Sequence, residues 1–375
     1  MKKETLAVHA GTYKDKATRG VNTPIFTSSA YEYIGRTSVP YPRYFNTPNH
    51  DVVKTKICAL EGGADALVFA SGMAAMSTSI FAHAGMGDHV VLMEESYGGT
   101  HALATGWLRR FGVDFSFAST DADAITGAAR DRTRVIVVES PTNPLLSIVD
   151  IRKIAGFARK QGIVTIIDNT FASPVNQTPL DLGIDVVVHS GTKYLGGHSD
   201  ICCGLAVGSP EIIQPIRSLA RCLGGSLDSQ SCYQLERSMK TLVLRVGQQT
   251  DNAGKVARFL DGNERVARVL YPGLETFPGH ALAKGQMKGF GAMLSFELDG
   301  IDPDRFVERL ALVSPAVSLG GVETTICSPA LTSHSEMTKA ERSKAGVTDS
   351  LLRLSVGVEH VEDIIADLDR AMRSF

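Results

Sequence analysis

From about residue 65 the chain alternates short, continuously apolar runs with longer stretches of mixed polarity. The runs occupy 66–70, 89–93, 113–117, 134–138, 164–168, 185–189 and 205–207. Each is too short for a stable helix, and all but the alternating 113–117 are apolar at successive positions, as expected of strands buried on both faces. Segments 52–60 and 151–160 carry a helical period and read as helices. This order predicts an α/β fold with a mostly parallel sheet covered by helices. The flanks differ. The first 50 residues hold Asn22-Thr23-Pro24, Pro40, Pro42 and Asn46-Thr47-Pro48-Asn49, with no sustained period, and read as an extended arm. A helical stretch over 226–260, broken near Gly247, leads out of a large domain over 51–245. Alternating strands at 292–298 and 351–356 and a closing helix over 361–372 then predict a smaller α+β domain over 246–375.

Composition narrows the function. A chain of 375 residues, 43% of them hydrophobic, builds more than one layered core. The net charge of −2 gives no electrostatic reason to expect nucleic acid or an anionic membrane as partner. No run approaches the roughly 18 apolar residues of a membrane span, and residues 1–10 lack the apolar segment of a secretory signal. The cysteines, at 58, 202, 203, 222, 232 and 327, show no CxxC spacing, and two are adjacent. That suits neither a zinc site nor a disulfide framework, so the expectation is reduced thiols, a cytoplasmic protein and no metal.

The chemistry-bearing residues fall at strand ends, where open α/β sheets bind ligands. In His189-Ser190-Gly191-Thr192-Lys193, a lysine follows a buried strand directly, among hydroxyls and glycines. It is either a solvated turn lysine or a desolvated amine suited to imine formation, with Ser190 and Thr192 available to phosphate oxygens. Asp168 ends the preceding strand, as a helix cap or as the anion a pyridine nitrogen requires. Ser71-Gly72-Met73 opens a helix whose free N–H groups attract phosphate. Tyr97 is either a packing tyrosine or a ring that stacks on a cofactor.

Together these segments resemble the Cys/Met-metabolism family of pyridoxal-phosphate (PLP) enzymes, which includes the cystathionine lyases and synthase and methionine γ-lyase. The segment 185–199 is the family's lysine signature. Thr5 to Gly11, Ser140 to Pro144, Asp168 to Phe171, Ser318 to Gly321 and Arg353 to Gly357 are further landmarks. The resemblance implies the type I PLP fold, like that of aspartate aminotransferase, in a homotetramer of two active dimers. It implies that Lys193 carries the cofactor and acts as base, Asp168 holds the ring nitrogen, and Tyr97 stacks on the ring and exchanges protons. Gly72, Met73, Ser190 and Thr192 then hold the phosphate, Asn143 lies beside the phenolic oxygen, and Arg353, Ser318 and Leu319 meet the amino-acid substrate. Tyr41 and Arg43 match contacts made to a neighbouring subunit's phosphate. Here the chain departs from the family's Tyr-x-Arg-x-x-Asn-Pro-Thr, reading Tyr41-Pro-Arg43-Tyr-Phe-Asn46-Thr47-Pro48.

The same resemblance bears on the substrate. Members that handle cystathionine carry charged anchors at positions occupied here by Pro40, Ala102 and Val317. Leaving the charged far end of cystathionine unpaired is costly, so the expected reaction is γ-elimination on methionine, homocysteine or a related γ-substituted amino acid. Cystathionine γ-lyase, γ-synthase and β-lyase activities are the alternatives. The reactive cysteine typical of methionine γ-lyase is replaced by Gly99, so that match is partial.

Overall fold

A computed structural model describes residues 1–333, 338–339, 342 and 346–375. Seven strands form the larger sheet: β1 (Asp65–Phe69), β2 (His89–Met93), β3 (Asp114–Ala118), β4 (Thr133–Glu139), β5 (Val164–Asp168), β6 (Val186–Ser190) and β7 (Gly204–Gly208). They lie in the order β1-β7-β6-β5-β4-β2-β3. All neighbours are parallel except β7, which runs antiparallel to both β1 and β6.

The apolar runs become strands because both faces of the sheet are covered. Val90, Val135, Ile166 and Val186 pack with Ala75, Met76 and Ile80 of the helix Gly72–His83. Their neighbours Val91, Ile136, Ile167 and Val187 pack on the other face with Ile151, Ile154 and Ala158 of the helix Ile151–Gln161. Each fully buried valine or isoleucine contributes about 1.5–3 kcal/mol.

A second sheet has the order β10-β11-β12-β9-β8. Its strands are β8 (Val266–Leu270), β9 (Met293–Leu298), β10 (Ser314–Pro315), β11 (Thr325–Cys327) and β12 (Leu352–Ser355). It is antiparallel apart from the β10–β11 pair. The closing helix Val361–Arg373 buries Ile364, Leu368, Ala371 and Met372.

Three details differ from the sequence expectation. The helical stretch after 226 is two helices, Ser229–Met239 and Leu242–Asp261. The break falls at Lys240-Thr241, and Gly247 lies inside the second helix, where it costs about 1 kcal/mol relative to alanine. The first 50 residues are not wholly extended. Lys3–His9 is helical, buries Ala7, and is tied down by the Lys56 Nζ donation to the Ala7 carbonyl at 2.8 Å and by Lys3 Nζ to the Pro174 carbonyl. Finally, the turn-like Asn46-Thr47-Pro48-Asn49 opens the helix Pro48–Glu61, with Thr47 at the cap and proline at the first helical position, where its missing N–H is harmless.

Candidate active site

The C-terminal ends of β4, β5 and β6 border a cavity of about 410 Å³. Glu139, Asp168 and Ser190 are the last residues of those strands, and Glu139 and Asp168 stand opposite each other in the β4–β5 register. After β6 the chain turns sharply. The Lys193 N–H donates to the Ser190 carbonyl at 3.2 Å and the Gly197 N–H to the Lys193 carbonyl at 2.7 Å. The turn sends the Lys193 side chain into the cavity, where Nζ donates to Ser318 Oγ at 2.7 Å. Burial, and next the Arg353 guanidinium, hold the Lys193 amine at about 8, down from 10.5.

The helix Gly72–His83 begins at the same cavity. Ser71 Oγ accepts the Ala74 N–H at 3.0 Å, while helix geometry leaves the N–H groups of Gly72 and Met73 without intrahelical partners. Two glycines permit this approach. A Cβ at Gly72 would lie 2.9 Å from Ser190 Cα, and one at Gly204 would lie 2.0 Å from the Ser71 carbonyl oxygen. Thr192 is held at the rim by exchanging hydrogen bonds with Cys203, its Oγ1 accepting the Cys203 N–H at 3.1 Å.

Asp168 accepts hydrogen bonds from the Thr170 N–H, at 3.0 Å, and from its hydroxyl. Burial pushes its carboxyl upward. Glu139 accepts the Tyr97 N–H on Oε2 at 2.8 Å and the Asn143 N–H on Oε1 at 2.9 Å. Burial, and then the charge of Asp168, raise its carboxyl well above the usual range. From the second sheet, Arg353 of β12 donates through Nη1 to Asn143 Oδ1 at 2.9 Å and through Nη2 to the Ser318 carbonyl at 3.1 Å. Its Nε is buried and has no hydrogen-bond partner among the described residues.

The cavity brings together Lys193, Asp168, Gly72, Met73, Tyr97 and Asn143 with Ser190, Thr192, Ser318, Leu319 and Arg353. It does not include Tyr41 or Arg43. Arg43 Nη1 donates to the Arg221 carbonyl, and its guanidinium lies 5.1 Å from the centre of the Tyr44 ring and 5.8 Å from that of Tyr41. Of the three positions where charged anchors were sought, Val317 lines the cavity and Pro40 and Ala102 do not. At Gly99 a Cβ would lie 2.7 Å from Tyr97 Cε1 and 2.9 Å from Met73 Sδ, so a cysteine there requires Tyr97 or Met73 to move.

Glu139, Thr170, Phe171 and Cys202, to none of which the sequence pattern assigns a role, also line the cavity. Glu139 had a readable signal, being a carboxylate that ends an apolar strand just as Asp168 ends the next.

These residues fit pyridoxal phosphate. The glycine cradle at Gly72 and Gly204 clears space beside free N–H groups and hydroxyls suited to a phosphate. A buried carboxylate suits a ring nitrogen, and the unpartnered Arg353 Nε leaves a donor for a carboxylate. The fold and the half-buried Lys193, the one lysine lining the cavity among the described residues, define a PLP-dependent enzyme of the type I class. The chain belongs to the Cys/Met metabolism PLP-dependent enzyme family, whose model matches residues 4–373.

It is 42% identical to a cystathionine β-lyase of Bacillus subtilis, the match spanning 99% of this chain and 96% of the relative. It is 43% identical to an L-methionine γ-lyase of Fusobacterium nucleatum, over 98% and 97%. The crystal structure of a cystathionine γ-lyase from Lactobacillus plantarum, complexed with L-serine, superposes with a TM-score of 0.96. It is 41% identical, over 100% of this chain and 99% of that one. Among the described residues, no helix is long and apolar enough to cross a membrane.

Proposed function

We propose that this enzyme cleaves the carbon–sulfur bond of methionine, homocysteine or a related γ-substituted amino acid by γ-elimination, releasing ammonia, a 2-oxo acid and the sulfur leaving group, a thiol from methionine or hydrogen sulfide from homocysteine. The carrying observation is the distribution of charge in the cavity. Its charged residues, among those described, are Glu139, Asp168, Lys193 and Arg353. Glu139, Arg353 and Lys193 are joined through Asn143 and Ser318, and Asp168 is held by the Thr170 N–H and hydroxyl. None of them is left over to meet a charged group at the far end of a substrate. The remaining wall includes Met73, Met76, Phe171, Val317 and Leu319.

Bound here, pyridoxal phosphate supplies an electron sink for the electrons left when the substrate Cα loses its proton. In this reading Lys193 holds the cofactor and moves the proton, its lowered basicity leaving much of the amine neutral near pH 8. Asp168 fixes the ring nitrogen, and Gly72, Met73, Ser190 and Thr192 hold the phosphate. Tyr97 covers the ring and Asn143 flanks it. Arg353 takes the substrate carboxylate, for which its planar fork is suited, while Ser318 orients the Lys193 amine and Leu319 packs beside the substrate.

The same reading divides the chain into an arm over 1–50, a cofactor domain over 51–245 and a C-terminal domain over 246–375. The arm brings Tyr41 and Arg43 to a neighbouring subunit's phosphate in an active dimer, and two dimers form a homotetramer. The free cysteines suit a cytoplasmic setting. A second reading, cleavage or synthesis of cystathionine, is favoured by the relatives, since the cystathionine β-lyase and the methionine γ-lyase match almost equally at 42% and 43%.

The test is to assay the holoenzyme against methionine, homocysteine and cystathionine for released thiol, hydrogen sulfide and 2-oxo acid. Methanethiol with 2-oxobutanoate from methionine, or hydrogen sulfide with 2-oxobutanoate from homocysteine, supports the proposal. Pyruvate from cystathionine as the dominant product replaces it with β-elimination.

A further inference from the structure

We propose that Glu139 is a positioning residue, tying the Tyr97 segment and the Asn143 turn to the end of β4 and thereby fixing Arg353 for the substrate carboxylate. The inference rests on the reading of Arg353 given above. Glu139 is 6% exposed, and each of its oxygens takes one backbone N–H from a different segment. Beyond Asn143 the connection continues without a gap. Asn143 Oδ1 accepts Arg353 Nη1 at 2.9 Å, Arg353 Nη2 reaches the Ser318 carbonyl at 3.1 Å, and Ser318 Oγ accepts Lys193 Nζ at 2.7 Å. One carboxylate in the larger sheet thus anchors a run of polar contacts that crosses to the smaller sheet and returns to Lys193.

Fold stability alone does not call for this residue. A carboxyl buried directly beside that of Asp168 is unfavourable, since both desolvation and like charge oppose ionisation. An apolar or amide side chain would avoid that cost. A carboxyl offers two acceptor oxygens in one plane, which is what two converging N–H groups require. An amide offers a single acceptor oxygen and turns an NH₂ against the other N–H. Glu139→Gln therefore releases one of the two segments while nearly preserving shape. Glu139→Asp keeps the carboxyl but draws it back by one methylene, and serves as the equivalent variant if the glutamine protein does not fold.

The test uses purified holoenzyme and three readouts: KM and kcat, visible circular dichroism of the bound cofactor, and coupling to Asn143→Ala. The expected result is a KM raised roughly ten- to a hundredfold, as for a displaced positioning group, with kcat changed less, and an altered dichroism band. In the Asn143→Ala background, where the side-chain link to Arg353 is already cut, Glu139→Gln should raise KM little further, because residues in one network are not additive. A Glu139 variant that only melts earlier, with KM and dichroism as in wild type, overturns the proposal, and so does full additivity with Asn143→Ala. Arg353→Lys separates the two readings. If it leaves KM unchanged, the assignment of Arg353 has failed. If it raises KM while the Glu139 variants do not, the role of Glu139 has failed.

Discussion

Lys193 Nζ donates to Ser318 Oγ at 2.7 Å, a contact between residues 125 positions apart in the chain. Ser318 makes it from a left-handed backbone conformation, with φ of 75°, which is uncommon for a residue with a side chain. Its carbonyl is held by Arg353 Nη2, and two residues later the Gly320 N–H donates to Ser355 Oγ at 2.8 Å. The loop of the C-terminal sheet is thus held in a strained form that presents one hydroxyl to one amine. Hydrogen bonds involving a charged group are worth about 1.5–3 kcal/mol. Ser318→Ala should accordingly lower kcat/KM roughly ten- to a hundredfold while leaving cofactor content unchanged. Ser318→Gly, which relaxes the backbone as well, should be at least as impaired and no less stable. An alanine variant with wild-type kinetics would show that the contact has no part in turnover.

The amine itself provides a second test. Burial, followed by the proximity of Arg353, lowers Lys193 from 10.5 to about 8. Between these values the unfolded chain retains a proton that the folded chain has released, so this group's contribution to stability rises with pH across that window and is least favourable below about pH 8. In the apoprotein, reductive methylation at Lys193, read by peptide mass spectrometry, should rise with an inflection near pH 8. The exposed lysines of the same digest provide the reference. An inflection at Lys193 that coincides with the surface lysines would show that the amine is solvated.

Lys193→Ala removes the only lysine of the cavity's described lining. The holoenzyme should lose the absorbance band of the lysine-bound cofactor and nearly all turnover. Retention of both would place the cofactor on another residue.

How much of this was legible depended on how local each signal was. Six strands of the large sheet could be read because burial leaves largely apolar runs, as in β2 and β7, whereas β3, half-buried at the sheet edge, shows an alternating pattern. β8 escaped notice because Ala267 and Arg268 at its centre are exposed, and β10 because it is two residues long. At the site, Lys193 and Asp168 stand out individually, Asp168 as a carboxylate closing an apolar strand and Lys193 as an amine in the turn directly after the next one. Glu139 carries the same signal as Asp168, a carboxylate at the end of β4. Thr170, which bridges Asp168 and the Ser190 N–H, was not singled out. The link from Arg353 to Asn143 joins residues 210 positions apart and belongs to the packing of two sheets, which no local pattern encodes.

The arm gives a prediction about assembly. Tyr41 and Arg43 lie off the cavity of their own chain, the Arg43 guanidinium over the Tyr41 and Tyr44 rings and its Nη1 on the Arg221 carbonyl of the helix Pro210–Leu223. If they complete a neighbouring subunit's phosphate site, Arg43→Ala and Lys193→Ala chains should each be inactive, and mixed dimers should regain part of the activity. One of the two hybrid sites then combines an intact Lys193 with an intact Arg43, as a symmetric dimer requires. Verified heterodimers with no recovered activity would mean that the arm serves its own subunit.

Specificity provides the final prediction. Val317 borders the cavity and is 68% exposed, next to the Ser318 that meets Lys193. Candidate charged anchors elsewhere are already engaged: Arg109 pairs with Asp114 at 3.7 Å, Arg110 lies 5.0 Å from the centre of the Trp107 ring, and Glu323 accepts from Ser199 Oγ at 3.4 Å. None of the three lines the cavity. A distal ammonium and carboxylate entering this space would leave water without a matching partner among the described residues, whereas a methylthio or thiol group gives up little hydration. A site without built polar anchors discriminates only modestly, so methionine or homocysteine should exceed cystathionine in kcat/KM by roughly ten- to a hundredfold. Val317→Glu places an anion beside the distal end and should move the ratio toward cystathionine, chiefly through its KM. Competing-substrate assays on the wild-type and Val317→Glu enzymes decide the matter. A wild-type enzyme that clearly prefers cystathionine would show that the distal anchors come from outside the described wall of this cavity.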